Sequence, residues 1–177
     1  MRVVTLFIAT SADGMIARES GEIEWLVNSD IYDYDAFYAQ VDTLLMGRKT
    51  FECIQKKGPW PYHGKKTYVF SRALHLSNQT EIQVVRRDPA AFVEELKEFQ
   101  GGRIWLVGGA ELARALMRED LVDEVLLSIS PEIVGTGVHL YPLPLHSMFW
   151  ELKESKELPD GMVHVRYVLK GRDIPID

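Results

Sequence analysis

The sequence lacks the features that mark several large classes of protein. It has one cysteine, Cys53, so it cannot form an internal disulfide or a multi-cysteine metal site, and a reducing cytoplasm suits it. Its 5 histidines are scattered without metal-ligand spacing, so we expect no metal. No apolar run approaches the ~20 residues that cross a bilayer, and the apolar run at residues 3–9 is too short for a signal peptide. These absences predict a cytoplasmic protein without a membrane partner.

An excess of positive charge is also missing. The chain has 20 Lys and Arg against 26 Asp and Glu, a net charge of −6, and its basic residues are scattered. That balance argues against nucleic acid as a partner, since its phosphates attract basic surfaces. What the chain does have is 177 residues with 46% hydrophobic content and no visible repeat. This predicts one domain, residues 1–177, with a full core.

Short apolar runs of strand length alternate with stretches of helical periodicity. Strands are predicted at residues 3–9, 43–46, 67–70, 82–85, 104–107 and 124–133, and helices at 30–40, 48–55, 89–99 and 110–117. An Asp-Gly turn at residues 160–161 predicts a hairpin between strands 150–156 and 162–169. The alternation indicates an α/β fold with a mostly parallel central sheet covered by helices on both faces. The closing hairpin adds antiparallel strands at one edge.

In such sheets, ligands bind beyond the carboxyl ends of the strands. There the chain has a pair of glycines, Gly108-Gly109, between a strand and a helix. Glycine lets a ligand approach the backbone closely, and the helix start offers unpaired N–H groups that suit a phosphate. Taken alone, the pair is better explained as a tight turn, because glycine pairs are common and no GxGxxG pattern surrounds it. The other segments that follow strands are residues 9–16, 47–50, 71–72 and 86–87.

Several of these segments together resemble one family. They are residues 8–17, 45–52, 69–72 and 104–112, joined by residues 121–131 and 135–137. In this order they resemble the dihydrofolate reductase superfamily, and within it the single-domain proteins similar to the C-terminal reductase domain of bifunctional riboflavin-biosynthesis enzymes. The resemblance covers nearly the whole chain. It implies a three-layer α/β/α dihydrofolate reductase-like fold and an NADPH-dependent reductase.

The resemblance also implies where NADPH binds. The Gly-Arg-Lys-Thr segment would meet the dinucleotide phosphates, the Ser-Arg segment the 2′-phosphate, and the glycine pair with its neighbours the pyrophosphate. Backbone groups of Ala9 and Ile16 would touch the nicotinamide carboxamide. Three helix starts near one face, with fixed positive charges, suit these anions. The implied cofactor residues are Ala9, Ile16, Gly47, Arg48, Lys49, Thr50, Ser71, Arg72, Val107, Gly108, Gly109, Ala110, Glu111 and Leu112.

The substrate side rests on fewer residues. Asp30 follows Trp25 at the spacing that an acidic residue and a tryptophan have in dihydrofolate reductases. By that resemblance Asp30 is the candidate catalytic residue and could hold the N–C–N edge of a pterin or aminopyrimidine. Equally, it could be a first-turn carboxylate that favours the helix dipole. Tyr34, one helical turn on, could pack against the substrate ring, and Ser128 stands where the family often has a hydroxyl near that carboxylate.

The nature of the substrate stays open at this point. Asp13, in a Ser-x-Asp-Gly segment typical of the riboflavin-type branch, could touch the substrate or simply form a turn. Residues 26–29 lack the proline usual in dihydrofolate reductases. The expected substrate is therefore a ribosylaminopyrimidine of riboflavin synthesis, with a dihydropterin as the alternative. A third possibility is a homologue that binds the cofactor without efficient catalysis. The resemblance also favours a homodimer, with the closing hairpin as a possible contact.

Overall fold

The computed structural model describes residues 1–24, 34–76, 80–158, 160–172 and 174. Strands and helices alternate along the chain as predicted. They are β1 (Val4–Ser11), β2 (Met15–Ala17), α1 (Tyr34–Gln40), β3 (Val41–Gly47), α2 (Arg48–Lys56), β4 (Lys66–Phe70), β5 (Ile82–Val85), α3 (Pro89–Glu98), β6 (Arg103–Gly108), α4 (Ala110–Met117), β7 (Glu124–Ser130), β8 (Val138–His139), β9 (Trp150–Glu157) and β10 (Val163–Leu169). None of the described helices is long and apolar enough to cross a membrane.

β1 lies inside an 8-stranded sheet with the order β5-β4-β3-β6-β1-β7-β10-β9. The strands from β5 to β7 in that order all pair in parallel. β10 pairs antiparallel with both β7 and β9, and a separate 2-stranded sheet joins β2 to β8. The predicted parallel sheet with a C-terminal antiparallel hairpin is therefore confirmed.

Alternate residues of the central strands point to opposite faces of the sheet and build two cores. On one face, Leu6 belongs to a core that includes residues of α3 and α4. On the other, Phe7 and Trp105 belong to a core with Phe37 of α1 and Phe51 of α2. We call this second side the aromatic face. Helices on both sides of the sheet give the three layers that the sequence predicted.

The bounds of the predicted elements agree with the structure to within two residues except at two places, and the short strands β2 and β8 were not predicted. β7 ends at Ser130 rather than at residue 133, because Pro131 has no N–H to continue the ladder. The helix predicted at residues 30–40 is described from Tyr34 onward, and residues 30–33 lie outside the described part of the chain. α3 begins as predicted, since the Ala91 N–H donates to Asp88 Oδ1 at 3.0 Å.

Candidate functional site

The carboxyl ends of the parallel strands bring four of the predicted phosphate contacts together. Met46 of β3 lies beside Gly108 of β6, and the Gly108–Gly109 peptide bond is cis. A methyl group added at Gly47 would lie 3.8 Å from the Gly109 nitrogen, and one added at Gly109 would lie 3.3 Å from Thr50 Oγ1. The starts of α2 and α4 therefore meet at one point of the sheet edge.

Both of these helix starts are open to a ligand. α2 follows Gly47 and α4 follows Gly109, and neither helix has a side-chain cap. The first amides of a helix have no intrahelical partner, so here they can bind an anion. In α4 these amides belong to Ala110, Glu111 and Leu112. The Leu112 side chain is buried in the core, so only its backbone can contribute.

α3 also begins at this edge of the sheet, but its start is already closed. Asp88 accepts a hydrogen bond from the first turn, and a carboxylate in that place repels a phosphate. Arg87, just before it, donates to both carboxylate oxygens of Glu95 at 2.8 and 2.6 Å. The start of α3 is therefore less suited to a phosphate than the uncapped starts of α2 and α4.

Arg48 and Lys49 lie in the first turn of α2, where positive charge opposes the helix dipole. Arg48 has a local partner, since its Nη1 donates to the two carboxylate oxygens of Glu52 at 2.8 and 2.9 Å. This i,i+4 ion pair explains Arg48 without a phosphate. Lys49 is exposed and has no ion pair within the described part of the chain. Lys49 is therefore the stronger phosphate candidate of the two.

Ser71 and Arg72 follow β4 directly and lie beside the end of β5. The Ser71 N–H donates to the Val85 carbonyl at 3.1 Å, which fixes this segment to the sheet. Its Oγ accepts from the Leu74 N–H at 3.0 Å, which leaves the hydroxyl hydrogen able to donate to a phosphate. Arg72 is exposed and, among the residues that the structure describes, forms no ion pair. The segment combines a donor in a fixed position with an available cation.

Of the two residues predicted at the nicotinamide, Ala9 follows directly on Ile8, which contacts the glycine pair, whereas Ile16 lies on β2. Ala9 of β1 is half-buried and in register with Ser128 of β7. Ile16 of β2 is half-buried against the core on the α3 and α4 side. A methyl group added at Gly108 would lie 3.8 Å from Ile8 Cδ1, so β1 and the glycine pair are in close contact. Backbone groups near the end of β1 therefore lie next to the candidate pyrophosphate site.

Aromatic side chains cover the same sheet on its aromatic face. Tyr34 stacks on Tyr38 with ring centroids 5.5 Å apart and meets Trp105 edge-on at 5.9 Å. Tyr62 meets Trp105 edge-on at 5.3 Å, and Val107 packs half-buried against the same core. Burial raises the pKa of both Tyr34 and Tyr62, so their phenols stay neutral. Such a surface suits a flat, uncharged ring.

Asp13 is engaged within the fold. Ser11 Oγ donates to its Oδ1, and the N–H groups of Val134 and Gly135 donate to its carboxylate at 3.1 and 2.8 Å. The carboxylate thereby ties the turn between β1 and β2 to the loop after β7. The Ser11 hydroxyl first, and then the two backbone amides, lower the pKa of Asp13 from 3.8 to about 2. This is the geometry of a turn-forming residue, one of the two roles that the sequence left open.

Replacing Asp13 with Asn is expected to destabilise the fold in a pH-dependent way. The folded-state pKa lies below its ordinary value, so the stabilisation is complete above pH 3.8 and is lost as the pH falls to about 2. The difference in Tm between the wild type and Asp13→Asn should therefore be largest near neutral pH and shrink across that window. Thermal unfolding at a series of pH values measures it. Glu19→Gln, at an exposed position, is the control, and an equal shrinkage there would contradict the assignment to Asp13.

Ser128, another predicted substrate contact, is paired with a residue that the sequence did not single out. Its Oγ lies 3.1 Å from His164 Nδ1, and both side chains are buried. His164 was set aside because it shares no metal-ligand spacing with other histidines. What identifies His164 is its place opposite Ser128 in the pairing of β7 with β10, and this register cannot be read from the sequence. Trp25 and Asp30 lie outside the described residues, so their roles stay predictions.

A second buried polar group lies on the same face, nearer the amino end of β7. Glu124 accepts from Thr5 Oγ1 at 2.8 Å and from the guanidinium groups of Arg103 and Arg166. The carboxylate thus links β1, β6, β7 and β10 in the interior. Because two cations surround one buried anion, this network has a structural role in holding the sheet together.

Comparison with known sequences gives the chain a family. It matches the model of the RibD C-terminal domain over residues 2–164. It is 34% identical over 174 residues to uncharacterized protein YwjB of Bacillus subtilis (strain 168), covering 94% of this chain and 98% of that protein. It is 30% identical over 162 residues to a Caenorhabditis elegans protein named "Putative dihydrofolate reductase", covering 84% of this chain and 82% of that one.

Solved structures share the fold. A "Putative riboflavin biosynthesis protein" from Shewanella sp. PV-4 has a TM-score of 0.85 at 25% identity, covering 95% of this chain and 99% of that one. A diaminohydroxyphosphoribosylaminopyrimidine deaminase/5-amino-6-(5-phosphoribosylamino)uracil reductase from Thermotoga maritima has a TM-score of 0.69 at 17% identity, covering 95% and 56%. Dihydrofolate reductase from Enterococcus faecalis, complexed with NADP(H), has a TM-score of 0.71 at 18% identity, covering 95% and 96%. At the last two identities the likeness shows the fold alone.

Proposed function

Because this chain belongs to the RibD C-terminal domain family, we propose that it is a reductase that uses NADPH to reduce a small nitrogen heterocycle. The family match and the structural neighbours confirm the resemblance and the dihydrofolate reductase-like fold that the sequence predicted. The observation that carries the proposal is the meeting of two uncapped helix starts, at Gly47 and Gly109, on the carboxyl edge of the sheet. The Caenorhabditis elegans relative, which is named for dihydrofolate reductase, supports the same chemistry.

The chain's own residues fit a phosphorylated dinucleotide. NADPH, when bound, supplies a hydride from C4 of its nicotinamide. In the proposed complex, the first amides of α2 and α4 bind the pyrophosphate, and Lys49 adds positive charge beside them. The Ser71 hydroxyl and the Arg72 guanidinium bind the 2′-phosphate, to which arginine can donate two parallel hydrogen bonds. Backbone groups of Ala9 and Ile16 orient the nicotinamide beside the substrate.

For the substrate, a ribosylaminopyrimidine such as 5-amino-6-(5-phosphoribosylamino)uracil is the first candidate. The Shewanella structure, whose name refers to riboflavin biosynthesis, supports it at a TM-score of 0.85. A dihydropterin is the second candidate, because the Caenorhabditis elegans relative is named for dihydrofolate reductase. In either case the proposed pocket uses Tyr34 and Ser128, with Trp25 and Asp30 as predicted contacts from outside the described residues.

The test is an NADPH-oxidation screen over both substrate classes. We expect saturable NADPH oxidation with 5-amino-6-(5-phosphoribosylamino)uracil and slower oxidation with dihydrofolate. Faster oxidation with dihydrofolate would reverse the order of the two substrates. Tight NADPH binding without oxidation by either would identify a cofactor-binding homologue instead of a reductase. Absence of NADPH binding in a direct titration would contradict the proposal altogether.

Replacing Arg72 with Gln is expected to weaken NADPH binding about 10- to 100-fold, because the variant loses hydrogen bonds to the charged 2′-phosphate. NADH lacks the 2′-phosphate, so its affinity should stay unchanged in the same variant. Fluorescence titration of both cofactors measures the difference. Arg87→Gln is the matched control, since it removes the same charge from an arginine already paired with Glu95. Equal losses for NADPH and NADH in Arg72→Gln would show that Arg72 does not contact the 2′-phosphate.

A further inference from the structure

We propose that His164 is a positioning residue for the substrate: it fixes the Ser128 hydroxyl in the orientation that hydrogen-bonds the polar edge of the heterocycle. This inference rests on the proposed reductase function and adds a residue that no sequence pattern marked. It concerns the polar end of the aromatic face, where β1, β7 and β10 run side by side. The strands there place Ala9, Ser128 and His164 in one row across the sheet.

The row connects the candidate nicotinamide contact to the buried pair. Ala9 is half-buried, whereas Ser128 is 1% and His164 3% exposed. Neighbouring strands are about 4.8 Å apart, so a ring lying over Ala9 is one strand away from the Ser128 hydroxyl. In the proposed complex, a heterocycle stacked beside the nicotinamide presents its polar edge to Ser128. The N–H and C=O groups of a pyrimidine or pterin lie on that edge.

The energetic argument starts from the burial of two polar side chains. A buried hydroxyl or imidazole nitrogen destabilises the fold unless it is hydrogen-bonded, and here the 3.1 Å contact pairs the Ser128 hydroxyl with Nδ1 of His164. The His164 ring also packs edge-on against Phe7, with centroids 6.1 Å apart, which restricts its rotation. Two apolar side chains could fill the same space and would need no hydrogen bond. The imidazole of His164, held in place by Phe7, instead fixes the direction in which the Ser128 hydroxyl can donate or accept.

Either tautomer of His164 gives Ser128 a defined capacity toward a ligand. If Nδ1 accepts, the Ser128 O–H points at the imidazole and its oxygen accepts from a substrate N–H. If Nδ1 carries the proton, it donates to Ser128 Oγ, and the Ser128 O–H is directed at a substrate carbonyl or ring nitrogen. Glu124, at the amino end of β7, differs from Ser128 because its carboxylate already accepts hydrogen bonds from two guanidinium groups and a hydroxyl. Of these two buried polar groups, the Ser128–His164 pair is therefore the one that suits the neutral edge of a heterocycle.

Four variants test the inference: Ser128→Ala, His164→Phe, the double variant of these two, and His164→Asn. We expect Ser128→Ala and His164→Phe each to lower kcat/KM for 5-amino-6-(5-phosphoribosylamino)uracil roughly tenfold, the size of one neutral hydrogen bond. The double variant should be no worse than either single one, because both remove the same interaction. His164→Asn should recover activity, since its amide can replace Nδ1 beside Ser128. The affinity for NADPH, measured by titration, should stay at the wild-type value throughout.

Ser130→Ala is the matched control, because Ser130 lies on the same strand and the same face and is also buried. Additive losses in the double variant, a parallel loss of NADPH affinity, or unchanged kcat/KM in His164→Phe would each overturn the positioning role. Failure of the proposed function is distinguishable from failure of this inference. In the first case the wild type itself reduces neither this pyrimidine nor dihydrofolate, and both ideas fall. In the second the wild type is active and its variants keep that activity.

Discussion

Alanine at Gly109 is expected to weaken NADPH binding roughly a hundredfold, the equivalent of about two hydrogen bonds to a charged group. The added methyl would lie 3.3 Å from Thr50 Oγ1, in the space between the two uncapped helix starts. A phosphate that uses the first amides of α2 and α4 needs that space. Gly109 has φ −86° and ψ −167°, extended backbone that alanine adopts without strain. The fold should therefore persist, and the loss should be confined to the cofactor.

Gly171→Ala provides the opposite control for Gly109→Ala. Gly171 has φ +89° and no neighbouring atom within 4 Å of an added methyl. Alanine there strains the backbone but stays away from the sheet edge, so Tm should fall while NADPH affinity is retained. Isothermal titration and thermal unfolding on both variants separate the two effects. Wild-type NADPH affinity in folded Gly109→Ala would place the pyrophosphate somewhere other than between α2 and α4.

Replacing Glu124 with Gln should destabilise the fold by about 3–5 kcal/mol, the usual result of breaking a buried ion pair by removing one partner. The side chain is 1% exposed and neutralises the guanidinium groups of Arg103 and Arg166. Glutamine keeps the shape of the side chain but removes the negative charge that Glu124 supplies to the two guanidinium groups. At about 2–4 °C of Tm for each kcal/mol in a chain of this size, we expect Tm to fall by roughly 6–20 °C. Thermal and urea unfolding measure the change.

Glu52→Gln is the matched control for Glu124→Gln. Glu52 also pairs with an arginine, Arg48, but that pair is exposed to solvent. Its removal should change stability by less than about 0.5 kcal/mol, because water screens the charges. A similar small change in Glu124→Gln would mean that the interior network holds the sheet together less than its geometry indicates.

Features written in consecutive residues could be predicted from the sequence. β6 is an apolar run that ends at the glycine pair, and α4 follows at once with helical periodicity. Asp88-Pro89 marked the start of α3 because the N-cap and first helical positions favour those residue types. Parallel pairing then follows from the alternation of strands and helices. The convergence of Gly47 and Gly109 could be predicted for the same reason, since parallel strands end on one edge.

Features that depend on register could not be predicted in this way. Ser128 and His164 are 36 positions apart in the sequence, and Thr5 and Glu124 are 119 apart. In β10, polar residues alternate with Val163 and Val165, a pattern typical of one solvent-facing side. The structure buries His164 and Arg166 instead, which is tolerated because both are paired.

At Arg48 a second explanation of the positive charge was visible in the sequence. Its position in the first turn of α2 suggested that an anionic ligand explains the positive charge. The ion pair with Glu52 supplies an explanation within the helix itself. Helical spacing of four residues was visible in the sequence, so this partner could have been found there. Side-chain partners should be sought within a helix before a ligand is invoked to explain an unfavourable charge.

The position of β1 in the sheet has a consequence for the order of folding. Its first partners are distant, with Val4 opposite Ile104 in β6 and Thr5 opposite Glu124 in β7. At about 5–20 residues per second, synthesis of the intervening hundred or so residues takes roughly 5–20 s. For that interval the amino-terminal strand has been made but has no edge to join, and its apolar side chains are available to other chains. The nascent chain therefore carries this apolar strand without its sheet partners until β6 and β7 have been made.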